Sequence, residues 1–146
     1  MENIDALVGA LRDRDSRRAH AALCELQAIS ERSAAVYPYF DTFAAMLDDG
    51  GSYMRARGLL LIAANVRWDT EGRLDGVFEA YLTHITDQKP ITSRQCIGAL
   101  PLIARARPDL KSRIRAALLN ADTSPYADSM RPLVEKDIAA ALAALK

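Results

Sequence analysis

Cysteine is scarce: Cys24 and Cys96 are the only two in 146 residues. They are too few for a disulfide scaffold and too far apart for a short-spaced metal site, which points to a reducing compartment. Long apolar runs are absent too, none approaching the roughly 20 residues a membrane helix requires. The opening MENIDALV is acidic and polar where a secretory leader would be basic and then apolar. A cytoplasmic protein without a membrane partner is the expectation. Net charge is absent, with 19 Lys+Arg against 19 Asp+Glu, and the sequence pI is 6.7. Aromatics are only 6% of residues, too sparse to stack bases along a groove. No Cys-x-x-Cys, His-Glu-x-x-His or Gly-rich loop after a strand is present, and His20 and His84 lie far apart. No catalytic residue, cofactor site or metal site is therefore expected, and both histidines read as surface or half-buried.

Half of the residues are hydrophobic, and a chain of this length can bury roughly 70% of its unfolded surface without staples. The apolar residues recur with a helical period nearly throughout, and no segment alternates as a strand does. The fold class is all-α, one domain over 1–146. Eight helices are predicted, at 3–13, 16–32, 37–48, 51–67, 70–86, 90–106, 109–120 and 127–145. Asn3, Ser16, Ser52 and Asp69 are placed to accept from free amides at helix starts. Gly50 and Gly51 suit a left-handed helix stop. Pro90 and Pro108 suit first turns. Pro101 follows a strongly helical run and predicts a kink.

A repeat runs through this pattern. Arg18, Arg55, Arg94 and Arg131 recur about 37 to 39 residues apart, each near the start of the second helix of a pair. Before each comes an amphipathic helix with an apolar pair near its end, such as Phe43 with Leu47 or Leu118 with Leu119. A turn aspartate follows: Asp13, Asp49, Asp87 or Asp122. The second helices are more apolar, as in RARGLLLIAANV and SRQCIGALPLIA. A pair of this kind cannot bury both apolar faces alone, so neighbouring pairs must stack.

This order of amphipathic helix, turn aspartate, arginine and apolar helix resembles the HEAT/armadillo-type repeat over essentially the whole chain. The resemblance implies an α-α superhelix of about four helix pairs, with repeats at roughly 3–33, 37–68, 69–107 and 108–146. It also implies bonds between adjacent units through the turn aspartates and arginines, on Asp13/Arg18, Asp49/Arg55 and Asp87/Arg94. The fourth unit departs from the pattern, because Asp128 lies closer to Arg131 than Asp122 does. An irregular helical bundle is the other architecture open to the pattern.

Charge is sorted by helix. Residues 37–50 hold three acids and no cation, and residues 51–68 hold Arg55, Arg57 and Arg67 with no acid. Residues 69–87 hold five acids and one cation, and residues 88–108 hold Lys89, Arg94, Arg105 and Arg107 with no acid. In a stacked array the second helices would present a basic stripe to an acidic peptide or phosphate. The structural alternative is that Arg67, Arg105 and Arg107 complement helix dipoles while Arg55 and Arg94 join repeats. Cys24 and Cys96 read as small buried hydrophobes. Trp68 reads as a plug between repeats or an exposed anchor. Tyr37, Tyr39, Phe40 and Phe43 read as core, and Tyr53 as exposed.

The expected function is a non-enzymatic scaffold or adaptor holding a protein or peptide, acidic ones included, on its second-helix face. Tyr53, Arg55, Arg57, Trp68, Arg94 and Gln95 are the expected contacts. The alternative is a nucleic-acid-binding module resembling HEAT-repeat DNA glycosylases, prompted by 15 arginines against 4 lysines; arginine favours bidentate phosphate contacts. Pigment-attaching activity, known among HEAT-like proteins, finds no supporting residue here.

Overall fold

Short polar side chains set the helix boundaries. In the computed structural model, which describes residues 3–146, Asn3 Oδ1 accepts from the Ala6 amide at 3.1 Å and opens α1 (Ile4–Ala10). Asp15, rather than the expected Ser16, caps α2 (Ser16–Arg32) by accepting from the Arg17 amide. The other helices are α3 (Phe40–Met46), α4 (Ser52–Asn65), α5 (Phe78–Thr83), α6 (Pro90–Ala106), α7 (Lys111–Leu119) and α8 (Arg131–Ala144). No strand occurs among the described residues, so the all-α expectation holds.

Helices α2, α4 and α6 follow their predicted spans closely, α8 starts at Arg131 rather than at 127, and the first helices are shorter. Tight 3₁₀ turns at Tyr37–Tyr39, His84–Thr86 and Pro108–Leu110 take up part of the helix expected there. The segment predicted as one helix over 70–86 is broken by Gly72, the single positive-φ residue among those described (φ 69°). Asp69 then starts a fresh turn, its carboxylate accepting from the Arg73 and Leu74 amides at 2.8 and 2.9 Å. Gly50 and Gly51 are not left-handed, and Ser52 is not a cap. Asp49 Oδ1 accepts from the Gly51 amide at 2.8 Å, which closes that turn without a left-handed residue. Helix α6 continues through Pro101 to Ala106.

All four turn aspartates make the same local bond. Their Oδ1 atoms accept from the amide two residues on: Asp13 from Asp15, Asp49 from Gly51, Asp87 from Lys89 and Asp122 from Ser124, at 2.8 to 3.0 Å. This Asx turn fixes the chain reversal between the helices of each pair.

Helices α2, α4, α6 and α8 each pack on the next in chain order. Helix α1 lies on α2, α3 on α4, and α7 on α6 and α8. A continuous apolar core runs through them from Leu11 to Leu145, with Phe40, Phe43, Phe78 and Tyr81 among its fully buried large side chains. Tyr37 and Phe40 stack at a tilt, in keeping with the aromatic cluster expected in the core. Leu118 is buried but its neighbour Leu119 is 65% exposed, so that apolar pair is split. Gly58 lets α3 and α4 approach closely: a Cβ there would lie 2.8 Å from Phe43 O and from Met46 Cβ.

Arginine–carboxylate pairs link each helix pair to the next in chain order. Arg12 bonds Asp49 at 3.1 Å, Arg55 grips Asp87 with Nε and Nη2 at 3.0 and 2.8 Å, and Arg94 Nε meets Asp137 at 2.6 Å. None of the expected side-chain pairs forms as such: the Arg55 guanidinium pairs with Asp87 rather than the Asp49 carboxylate, and Arg94 pairs with Asp137 rather than Asp87. Arg18 lies 3.8 Å from Asp15 rather than bonding Asp13, and Arg131 pairs with Asp128 at 3.1 Å.

Candidate functional site

Because α4 and α6 are each packed between neighbouring second helices and first helices, only one stripe of each faces outward. On α4 and the turn after it this stripe is Tyr53, Arg57, Leu60, Ala64 and Arg67; on α6 it is Ile91, Gln95, Gly98, Leu102 and Arg105. Helical geometry requires that spacing for a common face. The two stripes stand in register at an offset of about 38 residues, so Tyr53 matches Ile91, Leu60 matches Gly98, Ala64 matches Leu102 and Arg67 matches Arg105.

Between them lies an open groove of about 680 Å³, floored by Leu60, Ala63, Ala64, Gly98, Ala99 and Leu102. Arg67 and Arg105, at the C-terminal ends of their helices, line it together with Gln27 and Glu31 of α2. A smaller hollow of about 250 Å³ adjoins it, lined by Arg67, Leu102, Arg105 and Ala106. Three further depressions are present. One, between α6 and α8, includes Ile91, Arg94, Gln95 and Asp137; another, at the turn edge, includes Arg55, His84 and Asp87; a third, between α2 and α4, includes His20, Tyr53 and Arg57.

The sequence-predicted contacts divide between surface and structure. Tyr53 is 71% exposed, with Arg57 over its ring at 5.9 Å. Gln95 is exposed and touches both grooves along α6. Arg57 is half-buried, its Nη1 donating to Leu11 O at 3.0 Å, so it joins α4 to the end of α1. Arg55 does not belong to the contact surface. It is buried, and besides Asp87 it donates to Asp49 O and Gly50 O at 3.1 and 3.2 Å. Trp68 is half-buried rather than an exposed anchor, and its Nε1 donates to Ser30 O of α2 at 2.6 Å. Arg94 is half-buried against Asp137. The basic stripe thus contracts, with Arg107 also taken up by Asp75 and Asp109 at 2.9 and 2.8 Å. Arg67 and Arg105 have no carboxylate partner among the described residues; Arg67 lies over the Trp68 ring at 5.5 Å.

Leu60, Ala64, Gly98 and Leu102 escape a reading from sequence because they are apolar residues within apolar helices and resemble core. The signal that finds them is the shared stripe: they continue the helical face that Tyr53, Arg57 and Gln95 already define.

Elsewhere, Asp87 is held by Arg55, the Lys89 amide and His84, whose Nδ1 lies 2.7 Å from Asp87 Oδ2. Burial would raise the Asp87 carboxyl, but these partners outweigh it and hold it below the ordinary carboxylate value. Tyr37 is pushed up to about 12 by burial and by the hydrogen bond its hydroxyl donates to Asp69 at 2.5 Å. Cys96 is buried as expected, and burial drives its thiol far up. Cys24 is not buried: it is exposed on α2, with Sγ 3.4 Å from His20 Nε2. Cys24 falls on a helical face with His20 and Ala28, all exposed. No group of three or more His, Cys, Asp or Glu among the described residues is placed to hold a metal. No described helix is long and apolar enough to cross a membrane.

No protein-family model, curated protein or solved structure matches the chain.

Proposed function

We propose that the chain is a non-enzymatic, HEAT-like helical-repeat adaptor that takes a protein segment into the groove between α4 and α6. The repeat reading is supported by the chain-order packing of α2, α4, α6 and α8 and by the identical turns at Asp13, Asp49, Asp87 and Asp122. The observation that carries the function is the groove itself: an open apolar floor with Leu102 38% exposed, ending between two arginines that have no carboxylate partner. Most arginines on the second helices are spent on backbone or carboxylate groups, so those two stand apart.

Helix α6 also departs from helical preference on this outer side. A Cβ added at Gly98 would meet nothing within 4 Å, so packing does not require glycine there. Glycine in a helix interior costs roughly 0.5 to 1 kcal/mol against alanine. Such a local cost without a packing gain marks a surface shaped for contact.

A protein segment fits better than nucleic acid. Duplex binding rests on many phosphate contacts, whereas this face offers two carboxylate-free arginines beside Glu31. Display selection on the immobilised protein, counter-screened against Leu102→Glu, tests the proposal. Peptides that bind the wild type and not the variant are expected. Binders indifferent to Leu102→Glu, or a duplex-DNA gel shift abolished by it, would overturn it.

A further inference from the structure

The hollow at the basic end of the groove has an unusual composition for its size. About 250 Å³ is lined by Arg67, Leu102, Arg105 and Ala106, two cationic and two apolar walls. This lies below the roughly 300 to 1,000 Å³ of sites that enclose drug-sized ligands, so it has room for a single residue. A glutamate or aspartate side chain would satisfy the arginines but leave Leu102 and Ala106 covered only by methylenes. The residue that brings an apolar side chain and a carboxylate to the same place is an apolar one at a chain terminus.

We infer that this hollow receives the C-terminal residue of the partner, with its free carboxylate between Arg67 and Arg105 and its apolar side chain on Leu102 and Ala106. The preceding residues run back along the groove over Gly98 and Leu60. This deepens the adaptor reading and rests on it.

The electrostatics favour an anion after the opposing effects are counted. Arg67 and Arg105 both sit at helix C-terminal ends, where the aligned peptide dipoles present roughly half a negative charge each. Two full positive charges outweigh two halves. Glu31 shares the lining of the larger groove with both arginines, but it does not line the small hollow. Arg67 is also held in place before any ligand arrives. It lies over the Trp68 ring at 5.5 Å, and Trp68 is itself pinned by its bond to Ser30 O at 2.6 Å. A guanidinium stacked on a fixed indole loses less freedom on binding than an unsupported one. Trp68 is thus a positioning residue for Arg67 and, as the single tryptophan, a built-in reporter of what reaches it.

The test uses the full chain and two synthetic decapeptide libraries, randomised alike, one ending in free carboxylates and the other in carboxamides. A third library, amidated with glutamate at its last position, represents acidic side chains. Free-acid peptides with an apolar last residue are expected to be retained at least about tenfold better than their amides, the scale of a lost charge-assisted bond. Arg67→Gln and Arg105→Gln, checked for unchanged thermal midpoints, are expected to reduce that preference and leave amide binding unaltered. Selected free-acid peptides should shift Trp68 emission. Equal retention of acids and amides, with binding still lost in Leu102→Glu, would overturn the terminal-carboxylate inference and leave the adaptor reading standing. Preference for the glutamate-amide library would overturn it likewise. Retention of nothing from any library would overturn both.

Discussion

Asp87 joins three helix pairs through one residue. Its carboxylate takes two bonds from Arg55 in the preceding unit, one from the Lys89 amide and a contact with His84. Its backbone carbonyl accepts from Tyr126 of the following unit at 2.5 Å. The side chain is 3% exposed and that of Arg55 11%, so neither charge has water to fall back on. Removing one partner of such a pair strands the other, typically at about 3 to 5 kcal/mol. Asp87→Asn is therefore expected to lower unfolding free energy by about that amount at pH 7 in urea titrations. The acid response follows from the same contacts. Since folding depresses the Asp87 carboxyl, its stabilisation is present above the unfolded value of about 3.9 and is lost as pH falls through the lower folded value. Wild type should lose stability steeply below about pH 4, and Asp87→Asn less steeply; equal slopes would remove Asp87 from the acid response.

The two thiols give a second residue-scale expectation. Exposed Cys24 should react with a thiol reagent promptly under native conditions, and buried Cys96 only once denaturant opens the core. Two fast equivalents would contradict the burial of Cys96. Orientation of this kind is what residue types alone leave open. Both cysteines lie on second helices, and a one-position rotation along the helix decides between core and solvent. Arg55 shows the same limit, since an arginine that joins repeats and an arginine that binds a guest read identically until its partner is seen.

At the scale of elements, two glycines in neighbouring helices have opposite reasons to be there. Gly58 is required by the approach of α3, where a methyl would meet backbone and Met46 at 2.8 Å. Gly98 is not required by any neighbour. Both substitutions to alanine gain the same intrinsic helix preference, up to about 1 kcal/mol, so a difference between them measures environment. Gly58→Ala should destabilise by roughly 1 to 3 kcal/mol through overpacking. Gly98→Ala should raise the thermal midpoint and weaken peptide retention in the groove. A Gly98→Ala protein that is more stable and binds equally well would show that the glycine does not serve the groove. The second helices are legible in the sequence because seventeen residues of unbroken helical period, as in α2 and α6, leave little choice. The first helices are not, because a 3₁₀ turn at Tyr37–Tyr39 or Pro108–Leu110 preserves the polar pattern while tightening the backbone. The groove shares that difficulty, since Leu60 and Leu102 become surface only when the order of neighbouring helices is known.

Across the whole molecule, burial is graded along the chain. Helix α1 has no buried residue and α8 only Val134 and Ala141, whereas α4 buries eight residues and α6 eight. In an array where each unit touches only its neighbours, the end units lack one interface and open first. A closed bundle distributes contacts more evenly and opens as one cooperative body. Native-state hydrogen exchange separates these cases. Amides of α1 and α8 are expected to exchange through local opening with protection well below that of α4 and α6, whose exchange should track global unfolding. The ion pair of Arg94 with Asp137 ties α8 to α6, so Asp137→Asn should lower protection in α8 and leave α4 unchanged. Uniform protection across all eight helices, or a loss in α4 equal to that in α8, would mean that the helices do not behave as a linear array, and the groove would have to be explained without a repeat.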